Sequence, residues 1–197
     1  MTIDLIPDDI RKKYEVREWK HACAVLKADF PTEWADIAEV LRGFRLRRKD
    51  VLAKGGGLSV VSRSFNDAFK SRGWEEKSFE TKLVVDDREM LSPTHKVDCV
   101  KNGVALEIEW NNKDPFFDRD LNNFRVLFDL RAISVGVIIT KSEELWEVFK
   151  GYGNDVLDKF GRSTTWMGKL LPRIEGGGGG GCPILVFGIT KSCILGD

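Results

Sequence analysis

The chain has little of what several kinds of functional site require. Its four cysteines, Cys23, Cys99, Cys182 and Cys193, are scattered and form no Cys-x-x-Cys pair. That argues against a zinc cluster and against a secreted disulfide framework. Two histidines, His21 and His95, are too few for a His-rich metal centre or a nuclease built on several imidazoles. Apolar runs such as Val135-Gly-Val-Ile-Ile139 have strand length and fall far short of a bilayer span, so no membrane association is expected. No secretion signal is expected either, because Met1-Thr-Ile-Asp-Leu-Ile-Pro7 runs directly into charged residues; the cytoplasm is the expected compartment. Net charge is also missing: 31 Lys and Arg balance 31 Asp and Glu, whereas a chain that binds nucleic acid is usually basic.

What is present suits one globular domain over residues 1–197. Hydrophobic residues make up 42% and charged residues 31%, enough for a core without disulfide or metal staples. The balanced charge is uneven along the chain. Arg45, Arg47, Arg48 and Lys49, with Lys54 beyond, form a basic run that reads as a solvated helix end or as a phosphate-contacting surface. Acidic residues gather between Glu75 and Glu89. The six glycines at 176–181 lack the lysine and hydroxyl of a phosphate-binding loop, and read as a flexible connection.

Periodicity predicts a mainly helical part over 1–75, a core over 78–150, and a closing helix, glycine-rich loop and strand over 151–197. Tyr14 to Leu46 reads as two helical pieces broken near Pro31, with Thr32 as cap of the second. A short helix is expected over Ser62 to Arg72 and a weak strand over Ser78 to Val85; Lys54-Gly-Gly-Gly57 reads as a loop. Lys96 to Val100 and Val104 to Trp110 read as two strands. Asp114 is expected to cap a helix that has Pro115 at its first position and runs to about Arg131. Ser134 to Thr140 and Ile184 to Ile189 read as buried strands, with a helix over Ser142 to Lys150 after the first. The fold class is therefore α/β, a mixed sheet flanked by helices on both faces.

Lys96-Val-Asp-Cys-Val-Lys-Asn-Gly-Val-Ala-Leu-Glu-Ile-Glu-Trp110 carries the chemistry. Asn102-Gly103 is a strong two-residue hairpin signal, since both residues tolerate positive φ. It sets Lys101 opposite Val104, Val100 opposite Ala105, Cys99 opposite Leu106 and Asp98 opposite Glu107. Alternation then places Val97, Cys99, Leu106 and Ile108 on one face. Asp98, Glu107 and Glu109 share the other, with Lys96 opposite Glu109. Opposed residues have Cβ atoms roughly 4.5–5.5 Å apart, where like charges are destabilising. A bound cation makes the arrangement favourable. Hard carboxylate oxygens suit Mg2+, with Asp98 and Glu107 as ligands, the Ile108 carbonyl as a further one, and Glu109 orienting or deprotonating water. Taken alone, Glu107-Ile-Glu109 is also compatible with an ordinary solvated strand face.

Asp98 followed after eight residues by Glu107-x-Glu109 resembles the PD-(D/E)xK nuclease motif. The wider segment is similar to the BglII/BstYI group of type II restriction endonucleases, through Val104-Ala-Leu-Glu-Ile-Glu-Trp-Asn-Asn112, the helix from Pro115, Val135-Gly-Val-Ile-Ile139 and Ile184-Leu-Val-Phe-Gly188. Weaker similarity reaches Phe65-Asn-Asp-Ala-Phe69 and Gly73-Trp74. Val97 stands where many relatives have proline, and Glu109 stands where the general motif has lysine, as in its BamHI variant. The resemblance implies a restriction-endonuclease-like core and Mg2+-dependent hydrolysis of double-stranded DNA at a short palindrome. It further implies a homodimer in which each subunit cuts one strand, and it allows a cognate methyltransferase acting on the same site without direct contact.

Asn111, Asn112 and Lys113 follow the second catalytic strand directly and are candidates for base or phosphate contact, or simply a polar loop before the next helix. Arg119 and Arg125 on that helix are further candidates. Ser163, Thr164 and Thr165 precede another expected helix, where Ser163 or Thr164 caps it or the hydroxyls meet phosphate or bases. Two other functions compete: a structure- or damage-specific nuclease on the same core, and a catalytically silent DNA-binding module.

Overall fold

A computed structural model describes residues 2–54, 57–91 and 94–195, and part of the expected Lys54–Gly57 loop lies outside them. After a 3-10 turn at Ile3–Leu5, the chain forms α1 (Asp8–Arg11), β1 (Tyr14–Trp19), α2 (Ala22–Asp29), α3 (Pro31–Gly43), α4 (Arg48–Leu52) and α5 (Val60–Lys70). Strands β2 (Glu75–Lys77), β3 (Lys82–Val85), β4 (Arg88–Leu91), β5 (Val97–Lys101) and β6 (Val104–Glu109) follow. The last part holds α6 (Phe116–Asp129), β7 (Val135–Lys141), α7 (Leu145–Gly151), α8 (Asn154–Lys159), α9 (Met167–Glu175) and β8 (Ile184–Ile189), then a 3-10 turn at Lys191–Cys193.

Six strands form one mixed sheet in the order β1-β8-β7-β6-β5-β2. β6, β7 and β8 run parallel, while β1, β5 and β2 join antiparallel. Both faces of the parallel centre are covered, which is why β7 and β8 read as unbroken apolar runs. On one face Val104, Leu106, Ile108, Val135, Val137 and Ile139 pack into the larger core with α2, α3, α5 and α7. On the other, Ala105, Ile138 and Val186 pack against Phe117, Leu121 and Phe124 of α6 and Leu170 of α9.

Contact between α6 and the sheet is close at Gly136. A Cβ built there would lie 2.4 Å from Cδ2 of Phe124, a fully buried ring with nowhere to move. Gly136→Ala is expected to push α6 off the sheet and destabilise the protein by about 1–3 kcal/mol, the usual cost of overpacking. Thermal denaturation would show this as a lowered midpoint, and an unchanged midpoint would contradict the packing.

Four local expectations are corrected. Tyr14–Trp19 is a strand, not a helix: Tyr14 and Val16 are buried while Glu15 and Arg17 alternate with them, and the segment pairs with β8 from Tyr14↔Ile189 to Trp19↔Ile184. α3 is capped by Phe30 with Pro31 in its first turn, so Thr32 lies inside the helix. The strand expected over Ser78 to Val85 forms only in its second half, as β3, which pairs with β4 in a separate hairpin, while β2 precedes it on the main sheet. The six glycines form a packed turn: Gly178 N–H donates to the Arg173 carbonyl at 2.9 Å, and a Cβ on Gly179 would meet Ile184 Cδ1 at 2.4 Å. Their lack of side chains lets the chain pass against β8 and α6.

Candidate active site

The β5–β6 hairpin turns at Asn102 (φ 45°) and Gly103 (φ 86°), both left-handed as the dipeptide requires. The register is Lys101↔Val104, Val100↔Ala105, Cys99↔Leu106. Regular pairing ends there. Beyond it the Asp98 N–H donates to Glu107 Oε2 at 3.3 Å, and the Ile108 N–H donates to Asp98 Oδ2 at 3.0 Å. Carboxylates thus take up ladder groups where the strands separate. The same irregularity, with a register shift against β2, turns Val97 into the α6-side core while Cys99 remains in the other. The expected common face of Val97 and Cys99 is corrected accordingly. Lys96 pairs with Glu76 at 2.8 Å rather than with Glu109.

Alternation along β6 continues from Ala105 to Glu107 and Glu109, all on the face that α6 covers. Both glutamates are 1% exposed. α6 adds a third buried carboxylate, Asp120, also 1% exposed. Arg119 Nε and Nη2 donate to Asp120 Oδ1 at 2.9 and 2.7 Å, and Nη2 stands 3.6 Å from Glu109 Oε1. Asn112 Nδ2 lies 3.0 Å from each oxygen of Glu109. Glu107 Oε1 and Asp120 Oδ2 are buried with no hydrogen-bond partner among the described residues.

Four carboxyls in this space are short of compensating charge. Burial pushes Asp98 above the ordinary carboxylate range. Burial, then Asp120 and Asp98, push Glu107 well above it. Burial and the neighbouring Asp120 raise Glu109 to about 9. Asp120 is raised by burial in spite of Arg119. Desolvation disfavours each anion, and every neighbouring carboxylate adds to the effect.

The cluster opens on a cleft of about 370 Å³. Asp98, Ile108 and Glu109 line it, together with Lys54, Arg63 and Arg119. Among the described residues no three metal-ligating side chains stand ready as a coordination shell. The donor set nevertheless fits a hard cation: two adjacent carboxylates, one unpartnered oxygen and an open side, where Mg2+ asks only one or two protein carboxylates.

The other candidates are spread more widely. Of the basic run, Lys54 lines the cleft, Arg45 and Arg47 line a neighbouring groove, Arg48 lies 5.1 Å from the Tyr152 ring centroid, and Lys49 is exposed. Lys113 Nζ is 3.3 Å from Ser163 Oγ, and the backbones of residues 112–114 and 163–165 are joined by Asp114 N–H to Ser163 and Thr165 N–H to Asn112. Thr164 and Thr165 are buried in this bridge. Neither Ser163 nor Thr164 caps α9, whose first turn follows Trp166. Asp114 does not cap α6 through its side chain either; its carboxylate takes Lys169 at 2.8 Å.

Two residues escaped the sequence reading. Asp120 lies three residues after Phe117 and four before Phe124, on the apolar stripe of α6, and a carboxylate on such a stripe was the available signal. Lys141 ends β7 fully buried among the rings of Trp110, Phe160 and Trp166, its ammonium bonded to the Trp110 carbonyl. Burial lowers it to about 7. With Thr140 and Ser142 as neighbours it reads as the polar end of a strand, so nothing local marked it as buried.

A family model described as restriction endonuclease BglII/BglIII matches residues 14–189, from the first residue of β1 to the last of β8. No individual curated protein matches the chain. Among the described residues no helix is long and apolar enough to cross a membrane. With most of its length matched and a mixed αβα core carrying a carboxylate cluster at the exit of β6, the chain belongs to the BglII/BglIII family of restriction endonucleases and is a site-specific nuclease of double-stranded DNA.

Proposed function

We propose that Asp98, Glu107 and Glu109 carry metal-dependent phosphodiester hydrolysis, with Mg2+ as the ion. The observation behind this is the group of buried carboxyls that lacks compensating charge, above all the unpartnered Glu107 Oε1. Asp98 and Glu107 would hold the ion, with the Ile108 carbonyl beside them. When bound, such a cation polarises the phosphodiester, neutralises developing charge and acidifies water. Glu109, held by Asn112 at both oxygens, orients the attacking water and takes its proton. Asn111, Asn112 and Lys113 at the cleft rim, with Ser163 beside Lys113, contact the duplex, and the exposed Arg45, Arg47, Arg48, Lys49 and Lys54 supply phosphate contacts. Thr164 and Thr165 lie buried beside that rim, and the Thr165 N–H ties it down at the Asn112 carbonyl.

The whole chain acts as one endonuclease domain. Each chain carries one such cluster, so cutting both strands at a palindrome calls for a homodimer. A methyltransferase protecting the same site is the matching partner in the cell, and the cytoplasm the matching compartment.

Purified protein incubated with unmethylated plasmid, with Mg2+ or with EDTA, tests this. Discrete linear fragments that share one palindrome at their ends, and vanish with EDTA, are expected. Cutting undiminished by EDTA would remove the metal. Persistent nicking without linear product would remove the dimer.

A further inference from the structure

We infer that Arg119 is the group of this site that receives the scissile phosphodiester. The inference rests on the nuclease reading above and extends it to a residue outside the carboxylate motif. A phosphodiester is an anion, and here it must approach Asp98, Glu107, Glu109 and Asp120 together. A fixed positive charge beside that cluster lowers the electrostatic cost and can stabilise charge as it develops on the phosphoryl oxygens.

The cations around the cleft are not equivalent. Lys96 is occupied by Glu76 at 2.8 Å. Lys159 Nζ donates to the carbonyls of Val51 and Ala53 at 3.1 and 2.5 Å. Lys54 and Arg63 line the cleft as exposed side chains. Arg119 reaches the cluster itself, its Nη2 standing 3.6 Å from Glu109 Oε1.

Its geometry is that of a held group rather than a solvated side chain. Nε and Nη2 are both anchored on Asp120 Oδ1, and the Phe116 ring lies 4.3 Å from the guanidinium carbon. Nη1 donates no hydrogen bond to any of the described residues, and the side chain is 29% exposed. One edge of the guanidinium is therefore committed to the protein while the rest remains on the cleft. Arginine presents a rigid, always charged fork suited to phosphate oxygens. Asp120 is then a positioning residue: it fixes the angle of Arg119 without meeting the DNA itself.

The test pairs a protein change with a substrate change. Wild type, Arg119→Met and Arg119→Lys would be measured on a duplex bearing the mapped cleavage sequence, and on the same duplex with an uncharged methylphosphonate at the scissile position. Binding would be read with Ca2+ in place of Mg2+, cleavage in single turnovers, and folding by thermal midpoint. The expected result is a loss of about 100-fold in cleavage rate for Arg119→Met, the scale of removing one fixed donor at a reacting centre. Arg119→Lys should recover part of it. Arg119→Met should also bind the ordinary duplex several-fold more weakly than wild type, yet match wild type on the methylphosphonate duplex. Equal weakening on both duplexes, or cleavage at the wild-type rate, would overturn the assignment while leaving the nuclease reading intact. Failure of the wild type to cut any duplex would overturn both.

Discussion

Glu107→Gln is expected to slow cleavage by about a thousandfold, the upper range for losing one electrostatic group at a reacting centre, while DNA affinity stays close to wild type. Both halves follow from burial. Glu107 is 1% exposed and is covered by α6, so it has no surface with which to hold DNA. Glutamine keeps the shape and can still accept the Asp98 N–H that Glu107 Oε2 accepts at 3.3 Å. What it lacks is the second anionic oxygen, the one left without a partner. In the absence of metal the variant should also gain stability over wild type as pH rises, because it has no carboxyl to ionise beside Asp98 and Asp120. Single-turnover cleavage, equilibrium binding and thermal melting measure the three effects separately. Undiminished cutting would take Glu107 out of the mechanism; parallel loss of binding and cutting would make it a structural residue.

The second large effect is on stability as a function of pH and metal. Asp98, Glu107, Glu109 and Asp120 all hold their protons to higher pH in the folded chain than in the unfolded one, chiefly through burial. Between the ordinary carboxylate range and the value of about 9 for Glu109, the folded state binds more protons than the unfolded state. Stability of the metal-free protein must therefore fall as pH rises through that window, by up to about 1.4 kcal/mol per pH unit for each proton concerned. This is the reverse of the usual salt-bridged carboxylate, whose contribution is lost on acidification. A divalent cation competes with those protons, so Mg2+ should raise the melting midpoint most above about pH 8 and least near about pH 5. Melting curves across pH, with EDTA and with Mg2+, check both statements. A midpoint indifferent to pH would show that the four carboxyls do not titrate as a buried group. A pH-dependent midpoint that Mg2+ fails to restore would show that the cluster does not hold the ion.

Both predictions depend on a site only half legible in the amino-acid sequence. Asn102-Gly103 determined the hairpin and its register, because few dipeptides accept two consecutive positive φ angles. Alternation along Val104–Glu109 then determined that Glu107 and Glu109 share a face. The apolar runs of β7 and β8 announced strands buried on both sides, and the spacing of Phe117, Leu121 and Phe124 announced the helix between the hairpin and β7. These are local matters of backbone preference and side-chain period, and neighbours in sequence suffice to settle them.

The tertiary structure decided what covers each face. Tyr14–Trp19 became a strand because β8, some 170 residues later, supplies its hydrogen-bonding partner. The acidic face of β6 became an interior one because α6 folds back over it and brings Asp120 and Arg119 to the two glutamates. The glycine run became a fixed turn because Arg173, Ile184 and Arg125 close around it. Val97 left the face its position predicted once Asp98 took the Ile108 N–H and the ladder opened. Period and turn chemistry can place a carboxylate on a face. Whether it meets water, another carboxylate or a metal depends on segments distant in the chain, and so does its affinity for a proton.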